Sequence, residues 1–309
     1  MEILLQQLVN GLVLGSVYAL IALGYTLVYG ILELINFAHG EVAMIGAMVS
    51  LAVIQALVGA GLGLPGPFIV VSGVLVAIPV CMALGYSIER VAYRPLRRAP
   101  RLAPLITAIG VSIILQNLAM IIWGRQYIAF PPVLENTRHL VGGATVTNVQ
   151  IAIVILSTAI MAGLLVLIRT TRLGRAMRAT AQAPDIAGLM GVNVNRIISI
   201  AFLIGSALAA IAGVMVSAYY GIAHYYMGFM LGLKAFTAAV LGGIGNIAGA
   251  VLGGLLLGLI ESFGAGYLGK LTNGFLGSHY QDVLAFVVLI AVLTIKPSGL
   301  LGERVAERP

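Results

Sequence analysis

Long runs of apolar residues constrain the fold of this chain more than any other feature of the sequence. A helix needs about 20 mostly apolar residues to cross a bilayer, or roughly 17 to 25 when it tilts. An eighth run, from about 230 to 262, is interrupted by glycines and is treated separately below. The other seven candidate spans cover residues 6–28, 42–58, 68–88, 102–123, 149–168, 197–220 and 282–295. The sequence therefore predicts an all-α, polytopic transmembrane helical bundle of about 8 spans.

The composition excludes a soluble globular protein. Charged residues make up 9% of 309 positions and hydrophobic residues 61%, whereas soluble domains carry about 25% charged residues. The net charge of +7 does not indicate nucleic-acid binding, because most basic residues lie in two short loops between apolar runs. Arg90 is the first basic residue, so no cleaved signal peptide is expected. Cys81 is the single cysteine, which excludes a disulfide framework and a cysteine metal site.

The distribution of arginines predicts which loops face the cytoplasm. Two basic loops, 89–101 and 169–196, are expected on the cytoplasmic side by the positive-inside rule. The stretch from Gly124 to Asn148 then faces outside. The C-terminal tail, which carries Lys296, Arg304 and Arg308, returns to the cytoplasm.

The apolar run from 230 to 262 is too long for one straight crossing and short for two. Gly242, Gly243, Gly245 and Asn246 interrupt it, and its neighbours require that it begin and end outside. We interpret it as a re-entrant or broken hairpin, which is tolerated at membrane depth only where it lines a cavity or is buried in protein.

A second interruption, from Glu33 to Glu41, lies in the first third of the chain. If this interruption is also re-entrant, the N-terminus is cytoplasmic and the two halves of the chain are parallel repeats. The repeats would cover approximately residues 1–100 and 190–309 of a single permease domain, 1–309. Paired interrupted segments are a pointer to the substrate path of a transporter.

Three polar residues in the first interruption, Asn36, His39 and Glu41, are candidates for that path. Ionisable groups inside a membrane are costly and usually pair or face an aqueous cavity. The alternative places this cluster at the cytoplasmic mouth, capping the next helix and contacting headgroups or a partner. No metal site is expected, because His39 has no second histidine or cysteine nearby.

The second interruption supplies the other path candidates. These are Gly242, Gly243, Gly245 and Asn246; the amide of Asn246 is expected where backbone groups are released. Glycines that recur every four residues make a flat helix face for close packing. Gly249, Gly253, Gly254 and Gly258 are therefore interpreted as packing residues, with Gly11 and Gly15 near the N-terminus.

The basic loop 169–196 contains a predicted short helix outside the bilayer. Pro184 suits the first position of a helix, Asp185 complements the helix dipole, and Gly191 can end the helix in the left-handed conformation. Its apolar residues in a water-facing loop favour a protein partner, with docking on lipid headgroups as the alternative. The predicted contact segment consists of Pro184, Asp185, Ile186, Ala187, Gly188, Leu189, Met190 and Gly191.

No enzymatic site is predicted. Residues 264–270 fit the first seven positions of a phosphate-binding P-loop, but Leu271 occupies the position that needs serine or threonine. No catalytic set of acid, base and nucleophile converges elsewhere. We therefore expect no catalytic residue, no metal and no bound cofactor on this chain.

Four segments carry a resemblance to a known family. They are GYTLVYG at 24–30, INFAHGE at 35–41, IERVAYRPLR at 88–97 and KAFTAAVLGGIG at 234–245. Together they resemble the permeases of branched-chain amino-acid ABC importers, specifically the smaller of the two sister permeases. The likeness covers nearly the whole chain.

The resemblance implies a transport subunit in a bacterial inner membrane. It implies a heterodimer with a second permease, two cytoplasmic ATPases that hold ATP and Mg, and an extracytoplasmic binding protein that delivers Leu, Ile or Val. The segment from Pro184 to Met190 would be the coupling helix. The E-A-A contact signature of many other importers is absent.

Two alternatives stay open. Related permeases import urea, short amides or other small solutes, and no residue here identifies a branched side chain. A stand-alone channel or ion-coupled carrier would carry charges deep in several spans, whereas the spans 42–58, 102–123, 149–168 and 197–220 are uncharged.

Overall fold

The computed structural model describes residues 2–97, 99–100, 102–134, 137–272, 275, 277 and 280–302. The predicted basic loop 89–101 and the predicted cytoplasmic tail include residues outside the described ranges: Arg98, Arg101, Arg304 and Arg308.

The described part of the chain is an all-α bundle, as predicted, with two short antiparallel strand pairs at one end. The strands are β1 Ile128–Ala129, β2 Arg138–Val141, β3 Ala144–Thr147 and β4 Ile222–Ala223, and β1 pairs with β4 and β2 with β3. Helix α3 continues into a π-helical turn, Ile88–Tyr93, and a 3-10 turn, Arg94–Leu96. The helices are α1 Glu2–Leu32, α2 His39–Gly59, α3 Gly66–Ser87, α4 Leu102–Trp123, α5 Asn148–Thr170, α6 Arg172–Gln182, α7 Pro184–Leu189, α8 Val194–Tyr220, α9 Met227–Gly242, α10 Ile247–Leu271 and α11 Gln281–Ile295.

Within the described ranges, seven helices are long and apolar enough to cross a membrane: α1, α2, α3, α4, α5, α8 and α10. The structure differs from the prediction in the last third of the chain. The run 230–262 divides into α9, with 16 residues, and α10, with 25. The predicted span 282–295 is a helix of 15 residues, which extends only about 22 Å at 1.5 Å per residue. The structure does not test whether the α9–α10 break lies at membrane depth, so the re-entrant character stays a prediction.

The two ends of the bundle are distinguished by their loops. We call the end that carries β2 and β3 the hairpin end, and the end that carries residues 89–97 and 169–196 the arginine end. At the hairpin end, the Gln6 side chain donates to the Thr145 carbonyl oxygen at 3.1 Å and accepts from the Thr145 N–H at 2.8 Å. The N-terminus therefore lies beside the stretch predicted to face outside.

This position corrects the conditional prediction that the N-terminus shares the side of the arginine loops. Helix α1 has 31 residues and so extends about 46 Å, which is enough to cross the roughly 30 Å hydrocarbon core alone. The chain reaches Glu33 at the arginine end, and the re-entrant character of the first interruption stays a prediction.

Helix α1 is the central element of the bundle, and residues 15–28 are buried without exception. Its longest contact is with the antiparallel helix α10, where Gly258 lies against Gly15 and Gly254 against Ala19. These small residues bring the two backbones together, which is how membrane helices gain packing energy without a hydrophobic driving force between them.

The helices that flank the two interruptions run in matching directions. Helices α2 and α3 are antiparallel, since Cys81 Sγ lies 3.4 Å from the Val42 carbonyl oxygen and Gly73 faces Ser50. Helices α1, α2 and α3 therefore alternate in direction, as α9, α10 and α11 do. The internal repeat itself stays a prediction.

Candidate functional site

The first interruption is a tight turn of six residues between α1 and α2. Glu33 has a φ of +53°, the single positive φ among described non-glycine residues, and so ends α1 in the left-handed conformation. The Asn36 Oδ1 atom accepts from the Ala38 N–H at 3.2 Å and from the Tyr93 hydroxyl at 3.1 Å. Asn36 thus fixes the turn and ties it to the end of α3.

The structure brings Asn36, His39 and Glu41 together and buries all three, with exposures of 4%, 2% and 0%. Glu41 Oε1 accepts from Ser112 Oγ at 3.1 Å and from Gln116 Nε2 at 2.7 Å, both on α4. Within this chain, α4 covers Glu41, α1 covers His39 and Tyr93 covers Asn36, and the choice between a path and a cytoplasmic mouth stays a prediction.

Four buried polar atoms around this cluster have no hydrogen-bond partner among the described residues: Tyr25 OH, Thr26 Oγ1, His39 Nε2 and Glu41 Oε2. The Tyr25 and His39 rings meet edge to face at 4.8 Å. An unpaired polar atom in an apolar interior is costly and calls for an explanation. Each of these atoms belongs to α1 or α2, and Tyr25 OH and Glu41 Oε2 face the glycines of α9.

The second interruption is a glycine turn held by the chain's C-terminal segment. Gly243 and Gly245 have φ values of +106° and +91°, which only glycine adopts readily. The amide N–H groups of Leu300 and Leu301 donate to the carbonyl oxygens of Leu241 and Gly242 at 2.9 and 2.8 Å. Backbone groups released by the break are thus satisfied.

Asn246 caps α10. Its Oδ1 accepts from the Gly249 N–H at 3.0 Å, and its Nδ2 donates to the Leu301 carbonyl oxygen at 2.8 Å. The sequence predicted that this amide lies where backbone groups are released. In the structure the amide pairs with two backbone groups, the Gly249 N–H and the Leu301 carbonyl oxygen.

The four glycines interpreted as packing residues face two different helices. Gly249 and Gly253 lie against Gly242 and Ala238 of α9, while Gly254 and Gly258 face α1. Helix α10 thus presents one small face to each neighbour.

Three separate cavities border α1, and each is also lined by α9 or by the turn that follows it. The largest, 660 Å³ at the arginine end, is lined by Gly30, Arg169, Arg178, Gly245 and Asn246 among others. A small void of 10 Å³ lies between Tyr25, Tyr29, Phe236 and Ile244. The third, 200 Å³ at the hairpin end, lies against Tyr18 and Lys234. We call this set of cavities the α1–α9 seam.

Aromatic rings close the seam between the two larger cavities. The Phe236 ring lies 6.3 Å from Tyr25 and 5.6 Å from Phe37, measured between centroids. Of the predicted path residues, Gly245 and Asn246 line the arginine-end cavity. Gly242 and Gly243 pack against Gly249 and Gly302, and Asn36, His39 and Glu41 are buried and do not line these three cavities.

A buried ion network beside the seam was missed from the sequence. Lys234 Nζ lies 2.6 Å from Glu261 Oε1 and 2.9 Å from Asp282 Oδ1, and joins α9, α10 and α11. The Tyr18 hydroxyl donates to Glu261 Oε2 at 2.9 Å. The available signal was two isolated charges, Lys234 and Glu261, within one apolar run, since charges inside a membrane pair with one another.

Replacing Lys234 with methionine is expected to lower stability strongly, because it leaves Glu261 buried without its cation. Breaking a buried ion pair from one side costs about 3–5 kcal/mol. The change should appear as a lower thermal midpoint of the purified protein in detergent. The double variant Lys234→Met with Glu261→Gln should recover part of the loss, and equal midpoints for Lys234→Met and the unchanged protein would contradict the assignment.

The loop between α5 and α8 contains the predicted short helix and one more. Pro184 is the first residue of α7, and Gly191 has a φ of +85°, as the sequence predicted. Ile186, Leu189 and Met190 are 62%, 87% and 80% exposed. A fourth residue of this helix, Ala187, is buried against the rest of the protein, with an exposure of 4%. Helix α7 therefore offers an apolar outer face on a fixed base.

Helix α6 was not predicted. Thr171 caps it by accepting from the Gly174 N–H at 3.1 Å, and Met177 on its inner face packs with Ile197 of α8 and Ile31 of α1. The cluster links the loop to the last turn of α1, two residues before the first interruption.

A charged cluster fixes the start of α8 to the end of α3. The Glu89 carboxylate is fully buried and pairs with Arg94 at 3.0 Å and with Arg97. Ser199 of α8 donates to it at 2.8 Å. The arginine end is thus a connected unit of α3, α6, α7 and α8.

The described residues contain no group of three or more histidine, cysteine or acidic side chains placed to hold a metal ion.

The model of the family described as branched-chain amino acid transport system permease component matches residues 7–293. The chain is 47% identical over 309 residues to the high-affinity branched-chain amino acid transport system permease protein LivH of Escherichia coli K12, covering 98% of this chain and 97% of that protein. It is 48% identical over 308 residues to BraD of Pseudomonas aeruginosa, with the same coverage. A probable LivH of Methanocaldococcus jannaschii is 30% identical over 95% of this chain and 91% of that protein.

Proposed function

Because the chain belongs to the family of branched-chain amino acid transport permease components, we propose that it forms half of a solute path and couples that path to the ATP cycle of other subunits. It is a multi-pass inner-membrane permease component of a branched-chain amino acid ABC transport system. The observation that carries the coupling proposal is α7, whose outer face of Ile186, Leu189 and Met190 is exposed.

The proposed partners are a second sister permease, two cytoplasmic ATPases and an extracytoplasmic binding protein. ATP and Mg belong to the ATPases in this proposal, and solute selection for Leu, Ile or Val rests mainly with the binding protein. An exposed apolar face of this size on a water-facing helix is typical of a protein contact. Helix α7 is only six residues long, too short for a stable interfacial helix on lipid.

Contacts at the arginine end support a route from α7 to the path. The Val192 N–H donates to the Ala187 carbonyl oxygen at 3.0 Å, so α7 leads directly into α8. Met177 of α6 packs against Ile31 of α1, and Gly30 lies beside Gly245. A rigid displacement of α7 would therefore act on both interruptions at once, as in switching between packed arrangements.

The proposed path in this subunit follows the α1–α9 seam and includes both interruptions: Asn36, His39, Glu41, Gly242, Gly243, Gly245 and Asn246. The orphan Tyr25 OH and Glu41 Oε2 atoms face Gly232 and Gly228 of α9. A shift of α9 away from these atoms would admit water or solute to them. Such a shift would explain why these polar atoms are buried without a hydrogen-bond partner among the described residues.

Single-cysteine labelling tests the arginine-end cavity as part of the path. Cys81 is buried, so a cysteine introduced at Ala248, which lines the 660 Å³ cavity, reports alone. We expect Ala248→Cys to react with a membrane-impermeant thiol reagent applied to the cytoplasmic face of membrane vesicles. The labelling rate should change when the complex is trapped with a non-hydrolysable ATP analogue.

Val287→Cys is the matched control, because Val287 is exposed on α11 and is expected to face lipid. It should remain unlabelled by the water-soluble reagent. If Ala248→Cys is labelled in no nucleotide state, this cavity is not part of the path.

Co-purification from the native membrane tests the proposed function as a whole. The chain should be recovered with a second permease and with ATPase subunits after mild solubilisation. Recovery without any ATPase, together with ATP-independent transport, would favour a stand-alone carrier instead.

A further inference from the structure

The hairpin end of the α1–α9 seam holds a cavity that the coupling mechanism does not use. Its volume of 200 Å³ is below the 300–1,000 Å³ typical of sites for drug-sized ligands. It therefore suits a ligand of few heavy atoms. It lies beside β4 and the loop after α4, on the end predicted to face outside.

One wall of the cavity is apolar and flexible. It is formed by Val216 of α8 and by Met227, Met230 and Leu231 of α9. Methionine side chains adapt to irregular apolar shapes, so this wall accommodates aliphatic groups that differ in branching.

Aromatic side chains also line the cavity. Tyr18, Tyr127 and Tyr220 border the cavity, and the Tyr127 ring stacks on His224 at 4.4 Å. Faces of tyrosine rings attract an ammonium group, by about 0.5–1 kcal/mol when exposed and more when desolvated.

Lys234 also lines the cavity, and its side chain is 15% exposed. An ammonium group has three donors. One N–H donates to Glu261 Oε1 at 2.6 Å, and Asp282 Oδ1 lies 2.9 Å from Nζ as an ion pair, so the ammonium retains capacity for a further acceptor. The carboxylate charge of Glu261 is also shared with Tyr18, which donates to its other oxygen.

We propose that this cavity binds the zwitterion of an aliphatic amino acid on its way into the seam. The solute carboxylate accepts from Lys234, the solute ammonium lies over the tyrosine rings, and the aliphatic side chain packs against Met227, Met230 and Leu231. The inference rests on the proposed function, because it concerns the solute of the same path.

Cysteine protection tests binding directly. In the assembled complex, leucine at millimolar concentration should slow the modification of Met230→Cys by a small water-soluble thiol reagent at least threefold. Isobutylamine, which lacks the carboxylate, should give less than half of that protection. Phe229→Cys is the matched control, because Phe229 is the exposed neighbour that does not line the cavity, and its rate should not change.

Filling the cavity tests its place in transport. Met230→Trp should lower ATP-driven leucine uptake at least tenfold, while Phe229→Trp transports within twofold of the unchanged complex. A Met230→Cys rate that leucine does not alter, or normal uptake by Met230→Trp, overturns the site. Failure of the proposed function would appear differently, as absence of ATP-driven leucine uptake by the unchanged complex.

Discussion

Replacing Gly254 with valine is expected to prevent α10 from packing on α1 and to leave little folded protein. A Cβ atom at this position would lie 2.5 Å from the Cα and backbone N of Ala19, and backbone cannot rotate away as a side chain can. Overpacking of this kind costs about 1–3 kcal/mol and occasionally more. Because α1 is the buried centre of the bundle, we expect the upper end of this range.

The measurement is the thermal midpoint and the yield of monodisperse protein in detergent, with a fall of roughly 10 °C or more in the midpoint for Gly254→Val. Gly163→Val is the control, because nothing lies within 4 Å of a Cβ at Gly163 on α5. That variant should purify normally. Equal midpoints for the two variants would show that the close α1–α10 contact is not required.

The second large effect is expected at α7. Replacing Gly188 and Leu189 together with glutamate should reduce ATP-driven uptake at least tenfold, while membrane insertion and thermal midpoint stay unchanged. Both positions are exposed, and nothing lies within 4 Å of a Cβ at Gly188, so the variant disturbs little within this chain. Two charges would, however, have to be buried against the proposed ATPase, which is costly when they are unpaired.

The control for α7 keeps the apolar face. Gly188→Ala with Leu189→Met should transport near the level of the unchanged complex, because the added side chains fit the open space and remain apolar. Uptake by the double glutamate variant at the control level would exclude α7 as the coupling helix.

Much of the fold could be predicted because apolar run length is nearly sufficient to position a membrane helix. The bounds predicted for α4, 102–123, equal those of the structure. The short helix α7 was also predictable, since Pro184 and Gly191 are strong local signals for a helix start and stop. In both cases the information lies within one continuous segment.

The side of the N-terminus could not be predicted in the same way. The sequence shows an interruption at Glu33, but a break after a full crossing and a break within one look alike in hydropathy. The contact of Gln6 with Thr145, two residues 139 positions apart, places the N-terminal end of α1 at the hairpin end. Helix α6 was missed for a related reason, because its arginines obscure the short apolar face around Met177.

The site was predicted in part. Sequence patterns identified both interruptions and the acidic Glu41, but not the set of cavities between α1 and α9. The network of Tyr18, Lys234, Glu261 and Asp282 joins four helices, and the pairing of charges across such distances is decided by tertiary packing. The amide of Asn246 was predicted to lie where backbone groups are released. In the structure Asn246 is the N-cap of α10, three residues before Gly249, and asparagine is a common residue at that position.

ATP-driven uptake of leucine by the reconstituted complex is the most direct test of the central claim, that this chain is a permease half coupled to ATPases through α7. Proteoliposomes that contain this chain, its sister permease, the ATPases and the binding protein should accumulate radiolabelled leucine only when ATP is supplied on the ATPase side. Proteoliposomes that carry the double glutamate variant at Gly188 and Leu189 should not. Accumulation that is independent of ATP, or that persists at the same rate in the variant, would contradict the account.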